Sequence, residues 1–280
     1  MWSSTVQRLA WLVVACAVVA PPSPRAAEVV RINGAGSCLD LMNPLLAGFA
    51  ASHPDVRVDM RPPLGSSGAM MALLAGAVDL AVVSRPVNPE EEARGARPAP
   101  YGKTPLMVVA HADVRVEGVT TAELEAIYSG TRPTWPGGAP IRVILRPDAD
   151  TNTKVLRRLS PGMERAEAAA RRQPWALVAV TDPESDEMVA RTPGAIGVAA
   201  LTSLIVAKLP VRRLSLDGVV GTVASAAAGR YRLMKDVIFV TSAASSPAAR
   251  AIVAFARSAE GRAIAAKSGV LVTAPVDGAP

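Results

Sequence analysis

Cysteine and histidine are almost missing from this 280-residue chain, which holds two of each. The histidines, His53 and His111, stand in different segments without metal-ligand spacing, so a zinc site or a Ser-His-Asp triad has nothing to build on. Aromatic residues make up 4% and are scattered, without the clustering that a sugar, a quaternary amine or stacked bases would need. No run of like charge, arginine-rich stretch or low-complexity segment interrupts the body, which argues against nucleic acid as a partner. No glycine loop is followed by a P-loop lysine, and Gly65-Ser66-Ser67-Gly68 is not a Gly-x-Ser-x-Gly elbow. An enzyme, a metal and a cofactor are therefore not expected.

What is present is a folding composition: 50% hydrophobic and 19% charged residues. The length suits two modest domains of roughly 100 to 150 residues with a cleft between them. The one long apolar run, Leu9 to Ala20 after Arg8, is too short for a bilayer span of ~20 residues and reads as an export signal ending near Ala27. Val13-Val14-Ala15-Cys16 also allows a lipobox, in which Cys16 would carry lipid. Either way Cys38 is left alone and no intrachain disulfide is expected. Without residues 1–27, which hold Arg8 and Arg25 and no acid, 28 Lys and Arg stand against 24 Asp and Glu. This mildly basic balance fits a small anionic ligand.

Apolar strand patterns alternate with amphipathic helical ones, the signature of α/β units. Strands are expected at 29–33, 56–61, 80–83, 105–110, 141–145, 195–198, 211–214 and 237–241. Helices are expected at 39–51, 68–76, 121–129, 151–159, 163–172, 184–191, 247–257 and 260–268. The breaker-rich Pro98-Ala99-Pro100 with Gly102 reads as the approach to a lobe boundary, and 135–140 as an ordinary loop.

Three segments share one design, a strand running into a small or polar loop that opens a helix: Gly34-Ala35-Gly36-Ser37-Cys38, Gly65-Ser66-Ser67-Gly68, and Arg146 to Thr153. Each presents unpaired N–H groups at the positive end of a helix dipole, although a plain N-cap explains any one of them alone. Together they mark the strand-end edge where open α/β sheets bind ligands.

These segments, with Val78-Asp79-Leu80-Ala81-Val82-Val83-Ser84-Arg85, Leu124-Glu125-Ala126-Ile127-Tyr128-Ser129-Gly130 followed by Trp135, and Gly194-Ala195-Ile196-Gly197-Val198, occur in an order that resembles the periplasmic phosphate-binding protein family of ABC importers. The resemblance implies an α/β type II periplasmic binding protein fold, two α/β lobes joined by a two-segment hinge and closing on an oxyanion. It places the lobes at 28–106 plus 237–280 and at 107–236. The first binding loop falls on Ser37, Cys38 and Leu39, with Cys38 where the family has Thr, and a buried small hydrophobe is the alternative for this thiol. The second falls on Ser66, Ser67 and Gly68. Ser84-Arg85 stands where the family has an Asp, exchanging an acceptor for a donor; the alternative for Arg85 is a pair with Glu90 or Glu91.

The family's Arg falls on Arg146, but Asp150-Thr151-Asn152 replaces its Ser-Gly-Thr. Asp150 is expected to cap the following helix, with Asp148 balancing Arg146. The sharper alternative makes Asp148 or Asp150 an acceptor that selects hydrogen phosphate over sulfate. The expected function is a monomeric periplasmic solute-binding protein that hands a small inorganic oxyanion, phosphate first, to an ABC importer permease in the inner membrane. A tungstate or molybdate binder, and a sensor or partner-binding protein with an altered or lost site, stay open.

Overall fold

A computed structural model of the chain describes residues 28–174 and 176–275. The expected export signal over 1–27 and the lipid-bearing role for Cys16 lie outside the described residues. The elements follow in chain order: β1 (Glu28–Gly34), α1 (Gly36–Ser52), β2 (Val56–Met60), α2 (Gly65–Leu74), β3 (Leu80–Val83), α3 (Pro89–Ala93), β4 (Arg97–His111) and β5 (Gly118–Val119). Then come α4 (Thr121–Ser129), β6 (Arg142–Leu145), α5 (Thr151–Arg157), α6 (Pro161–Ala170), β7 (Leu177–Val178), α7 (Asp182–Arg191), β8 (Ala195–Ala200) and α8 (Leu201–Val206). The chain closes with β9 (Val211–Arg213), β10 (Ser215–Leu216), α9 (Val223–Ala227), β11 (Met234–Thr241), α10 (Pro247–Arg257), α11 (Ala259–Lys267) and β12 (Leu271–Val272).

The strands run in the order β2-β1-β3-β11-β4-β8-β6-β7. Within the first group β1 pairs in parallel with β2 and β3, and β11 closes it antiparallel to β3. In the second, β6 is parallel to β7 and β8. The 15-residue β4 belongs to both groups, pairing β11 along Arg97 to Pro105 and β8 along Leu106 to Ala110.

The central strands β3 and β8 are buried on both faces, which is why they read as continuous apolar runs rather than alternating ones. In β3, Leu80 and Val82 face a core with Leu41, Met42, Phe49 and Phe239, whereas Ala81 and Val83 face one with Met70 and Leu73 of α2. In β4, Leu106 and Val108 join Leu124, Tyr128 and Trp135, while Met107 and Val109 join Val189 and Leu204. The molecule is thus a two-lobed α/β structure with separate cores on either side of the shared strand.

The expected strands and longer helices are all present, with ends moved by a few residues except in β4, which begins at Arg97 rather than at 105. Capping explains several starts: Thr120 with Glu123 and Thr181 with Glu184 form reciprocal capping boxes, each placing its helix start on the residue after the Thr. The Pro98-Ala99-Pro100 stretch, read as an approach to a lobe boundary, is itself strand and precedes the change of partner at Leu106. It lies inside β4, where β11 is the only partner at those positions, and proline is tolerated because no neighbour needs its missing N–H on the free side.

Candidate functional site

A cavity of about 410 Å³ opens between the lobes at the ends of β3 and β6 and the start of β11. One side brings Ala35, Gly36, Pro63, Leu64 and Gly65 to Ser67, with Ser84; the other brings Arg146, Pro147, Asp150, Thr151 and Val180 to Asp182; Lys235 closes the floor.

The α2 loop enters through Gly65, whose φ of +71° is a left-handed conformation that suits glycine. Its N-cap, Leu64, has no side chain that can accept from the helix, so the first-turn N–H groups of Gly65, Ser66 and Ser67 have no intrahelical acceptor. Ser66 is fixed from below: its Oγ accepts the N–H of Ser84 at 3.0 Å and lies 3.2 Å from the Ser84 hydroxyl. Gly68 belongs to the same first turn but does not reach the cavity wall.

The α1 loop behaves differently from expectation. The N–H groups of Cys38 and Leu39 both donate to the Ala35 carbonyl at 3.0 Å, and both side chains are buried in the core. Neither lines the cavity. Burial pushes the Cys38 thiol up to about 12, so it behaves as a small hydrophobe. Ser37 holds the Lys235 ammonium through its Oγ at 3.0 Å.

Arg85 also stands away from the cavity. Its guanidinium grips Glu91 at 2.9 and 2.6 Å, one of the two pairings considered from sequence, and only a long 3.5 Å contact reaches Ser67. On the other lobe Asp150 caps α5, accepting the Asn152 N–H at 2.8 Å, and pairs with Arg146 at 3.0 Å. Asp148 does not balance Arg146, which corrects the expectation. It points outward to Arg157 at 2.6 Å, and Arg171 is close by. Asn152 is buried and gives its side-chain amide to Asp182 at 3.1 Å, while Thr151 lies on the cavity wall.

Asp182, at the start of α7, is the centre of the arrangement. One carboxylate oxygen accepts from the Ser37 N–H at 3.1 Å and Lys235 at 3.2 Å; the other accepts from Asn152 at 3.1 Å and faces Arg146 at 3.2 Å. Burial alone would raise its pKa, but Lys235, Arg146 and the Ser37 N–H outweigh burial and hold it at about 2. Burial likewise opposes the charge on Lys235, yet Asp182 and Asp150 keep its pKa above the ordinary value. An internal carboxylate thus takes up the innermost donors, and Arg146 with Lys235 against Asp150 with Asp182 leaves the cavity formally neutral. Gly36 permits this contact, since a Cβ there would lie 2.7 Å from that of Asp182. The Nε of Arg146 is buried without a hydrogen-bond partner.

A family model described as a PBP superfamily domain matches residues 20–260. The chain belongs to the PBP superfamily. Among solved structures, this PBP-superfamily chain is similar to a putative phosphate ABC transporter substrate-binding protein with bound phosphate from Clostridium perfringens, with a TM-score of 0.75 and 20% identity over 88% of this chain and all of the other. An ABC-type phosphate transport receptor from Vibrio cholerae follows with a TM-score of 0.62 and 19% identity, covering 86% and 99% of the two chains. A curated relative, "Phosphate-binding protein PstS 2" of Streptococcus pneumoniae, is 30% identical over 106 residues, which are 38% of this chain and 36% of the relative. The match therefore spans about a third of that relative's length. The fold is that of type II periplasmic binding proteins.

Sequence reasoning did not single out Lys235 or Asp182. A signal existed for each. Lys235 shares a strand face with Val237 and Phe239, so a lone cation continues an apolar row. Asp182-Pro183 follows a Thr cap, placing a carboxylate at a helix start.

Proposed function

We propose that this chain is an exported solute-binding protein that captures a small tetrahedral oxyanion, phosphate first, in the interlobe cleft and delivers it to the permease of an ABC importer. On this reading the lobes are 28–106 plus 237–280 and 107–236, and closure bends the chain where β4 and β11 cross between them. The ligand meets Ser66, Ser67, Ser84, Arg146, Asp150 and Thr151, with Lys235 and Asp182 added to the residues expected from sequence.

The observation that carries the reading is the set of first-turn N–H groups of α2 that have no intrahelical acceptor, on the cavity wall that also includes Arg146. Asp150 and Asp182 are acceptors beside these donors. Hydrogen phosphate can give them a proton, whereas sulfate would leave a carboxylate facing an unprotonated oxygen.

The test is thermal unfolding of ligand-free protein with phosphate, sulfate, molybdate, tungstate and a neutral sugar. A ligand at 100 times its dissociation constant adds about 2.7 kcal/mol, a rise of several degrees. Phosphate is expected to raise the melting temperature and sulfate to leave it unchanged. No shift with any oxyanion removes the reading.

One observation favours a second reading. Asp182 already satisfies donors that an oxyanion would otherwise claim, which suits a sensor or partner-binding protein on the same scaffold. A protein whose stability ignores every oxyanion is the outcome that selects it.

A further inference from the structure

The cleft is lined by apolar side chains that a bare ion would leave unused. Its volume of about 410 Å³ falls in the range of roughly 300 to 1,000 Å³ in which proteins enclose small organic molecules. A tetrahedral oxyanion has five heavy atoms and fills the room of a few waters at ~30 Å³ each. The rest of the cleft wall is mostly apolar, Pro63 and Leu64 from one lobe and Pro147, Ala149 and Val180 from the other, with the hydroxyls of Thr151 and Thr181 among them.

Leu64 is 57% exposed and Val180 67% exposed, so two large apolar side chains stand in water at the mouth of the same cavity, one on each lobe. Apolar surface facing itself across a cleft marks a place where something apolar is buried. Deeper in, Asp182 engages Lys235, Asn152 and the Ser37 N–H, as well as Arg146. The donors left for a ligand lie on the α2 side, where the first-turn N–H groups of Gly65, Ser66 and Ser67 have no intrahelical acceptor. An anionic group held there sits beside the apolar walls rather than beneath them.

Resting on the oxyanion reading above, we propose that the preferred ligand is a phosphonate or phosphate monoester carrying a small apolar substituent. Its phosphoryl oxygens meet the α2 N–H groups and Arg146, and its substituent lies between Leu64 and Val180. Inorganic phosphate makes the polar half of these contacts and leaves the apolar half in water.

Titration calorimetry on the full chain decides this with inorganic phosphate, methylphosphonate and propylphosphonate. Affinity is expected to rise along that series, by tenfold or more from phosphate to propylphosphonate. Val180→Ser, at an exposed position that does not threaten folding, is expected to remove most of that gain, read as the ratio of propylphosphonate to phosphate affinity in the same variant. Phosphate binding as tightly as propylphosphonate overturns the inference and leaves the oxyanion reading intact. Failure of all three to bind overturns both.

Discussion

The carboxylate of Asp182 caps the α1 helix of the opposite lobe, accepting the N–H of Ser37 at 3.1 Å. The helix lacks a cap of its own because Ala35 stands at the N-cap position. Asp182 therefore supplies from 145 residues away what a Ser or Asp would normally supply locally. The same carboxylate neutralises Lys235, so lobe contact, helix capping and cleft electrostatics depend on one side chain.

Removing Asp182 leaves the Lys235 ammonium buried without its main counter-charge. Asp182→Ala is expected to lower the unfolding free energy by ~3–5 kcal/mol. Replacing Lys235 with Met in the same chain is expected to recover most of the loss, because an apolar pair has no desolvated charge to compensate. Urea unfolding of the two single variants and the double variant measures this, and additive losses would contradict a direct pairing.

Acid should undo the same interaction. A carboxyl held at about 2 in the folded protein and near ~3.9 when unfolded stabilises fully above the unfolded value. That contribution disappears as pH falls through the folded one. Wild type and Asp182→Asn should therefore converge in stability between about pH 4 and pH 2. Constant separation across that window rejects the assignment.

Asp186, one turn further along α7, shifts the opposite way. Burial, with Asp182 and Asp40 nearby, raises its pKa well above the ordinary range against the pull of Lys235 and Arg146. Such a group favours the folded state below its unfolded pKa, and the benefit is lost as pH rises through the folded one. Asp186→Asn is expected to gain stability over wild type as pH rises toward neutrality and above. Denaturant midpoints from pH 3 to pH 8 give the slope, and a falling difference would speak against the burial argument.

Two arginines that looked comparable in sequence should separate in ligand titrations. Arg146→Gln removes a buried donor from the cavity and is expected to weaken oxyanion binding at least tenfold, within the ~1.5–3 kcal/mol of a hydrogen bond to a charged group. Arg85 is committed to Glu91, so Arg85→Gln should change affinity less than about threefold. A reversed order would move the site toward Arg85.

Cys38 should resist thiol reagents in the native state, since burial both covers the thiol and opposes its ionisation. Labelling by iodoacetamide at pH 8 is expected only after unfolding in urea. Rapid labelling of the native protein would place the thiol at the cleft.

How much of this was legible before the fold is clear from individual residues. Apolar runs such as Leu80 to Val83 and capping pairs such as Thr120 with Glu123 announce strands and helix starts, because strand burial and capping are local. Asp150 was legible as a cap for the same reason. The role of Arg85 was not, because Glu91 and the cavity compete for it in space.

The amino-acid order by itself determined the alternating α/β elements, the three loops that open helices at strand ends, and the family resemblance. Backbone propensity, capping and periodicity all act within a few residues, and a sequence displays them directly. Tertiary structure alone decided which donors stay free. The Cys38 and Leu39 side chains are buried in the core, Asp148 turns out to Arg157, and Asp182 crosses between lobes to Ser37 and pairs with Lys235. Those outcomes depend on which charges burial brings together, and a buried charge must find a partner wherever the folded chain supplies one.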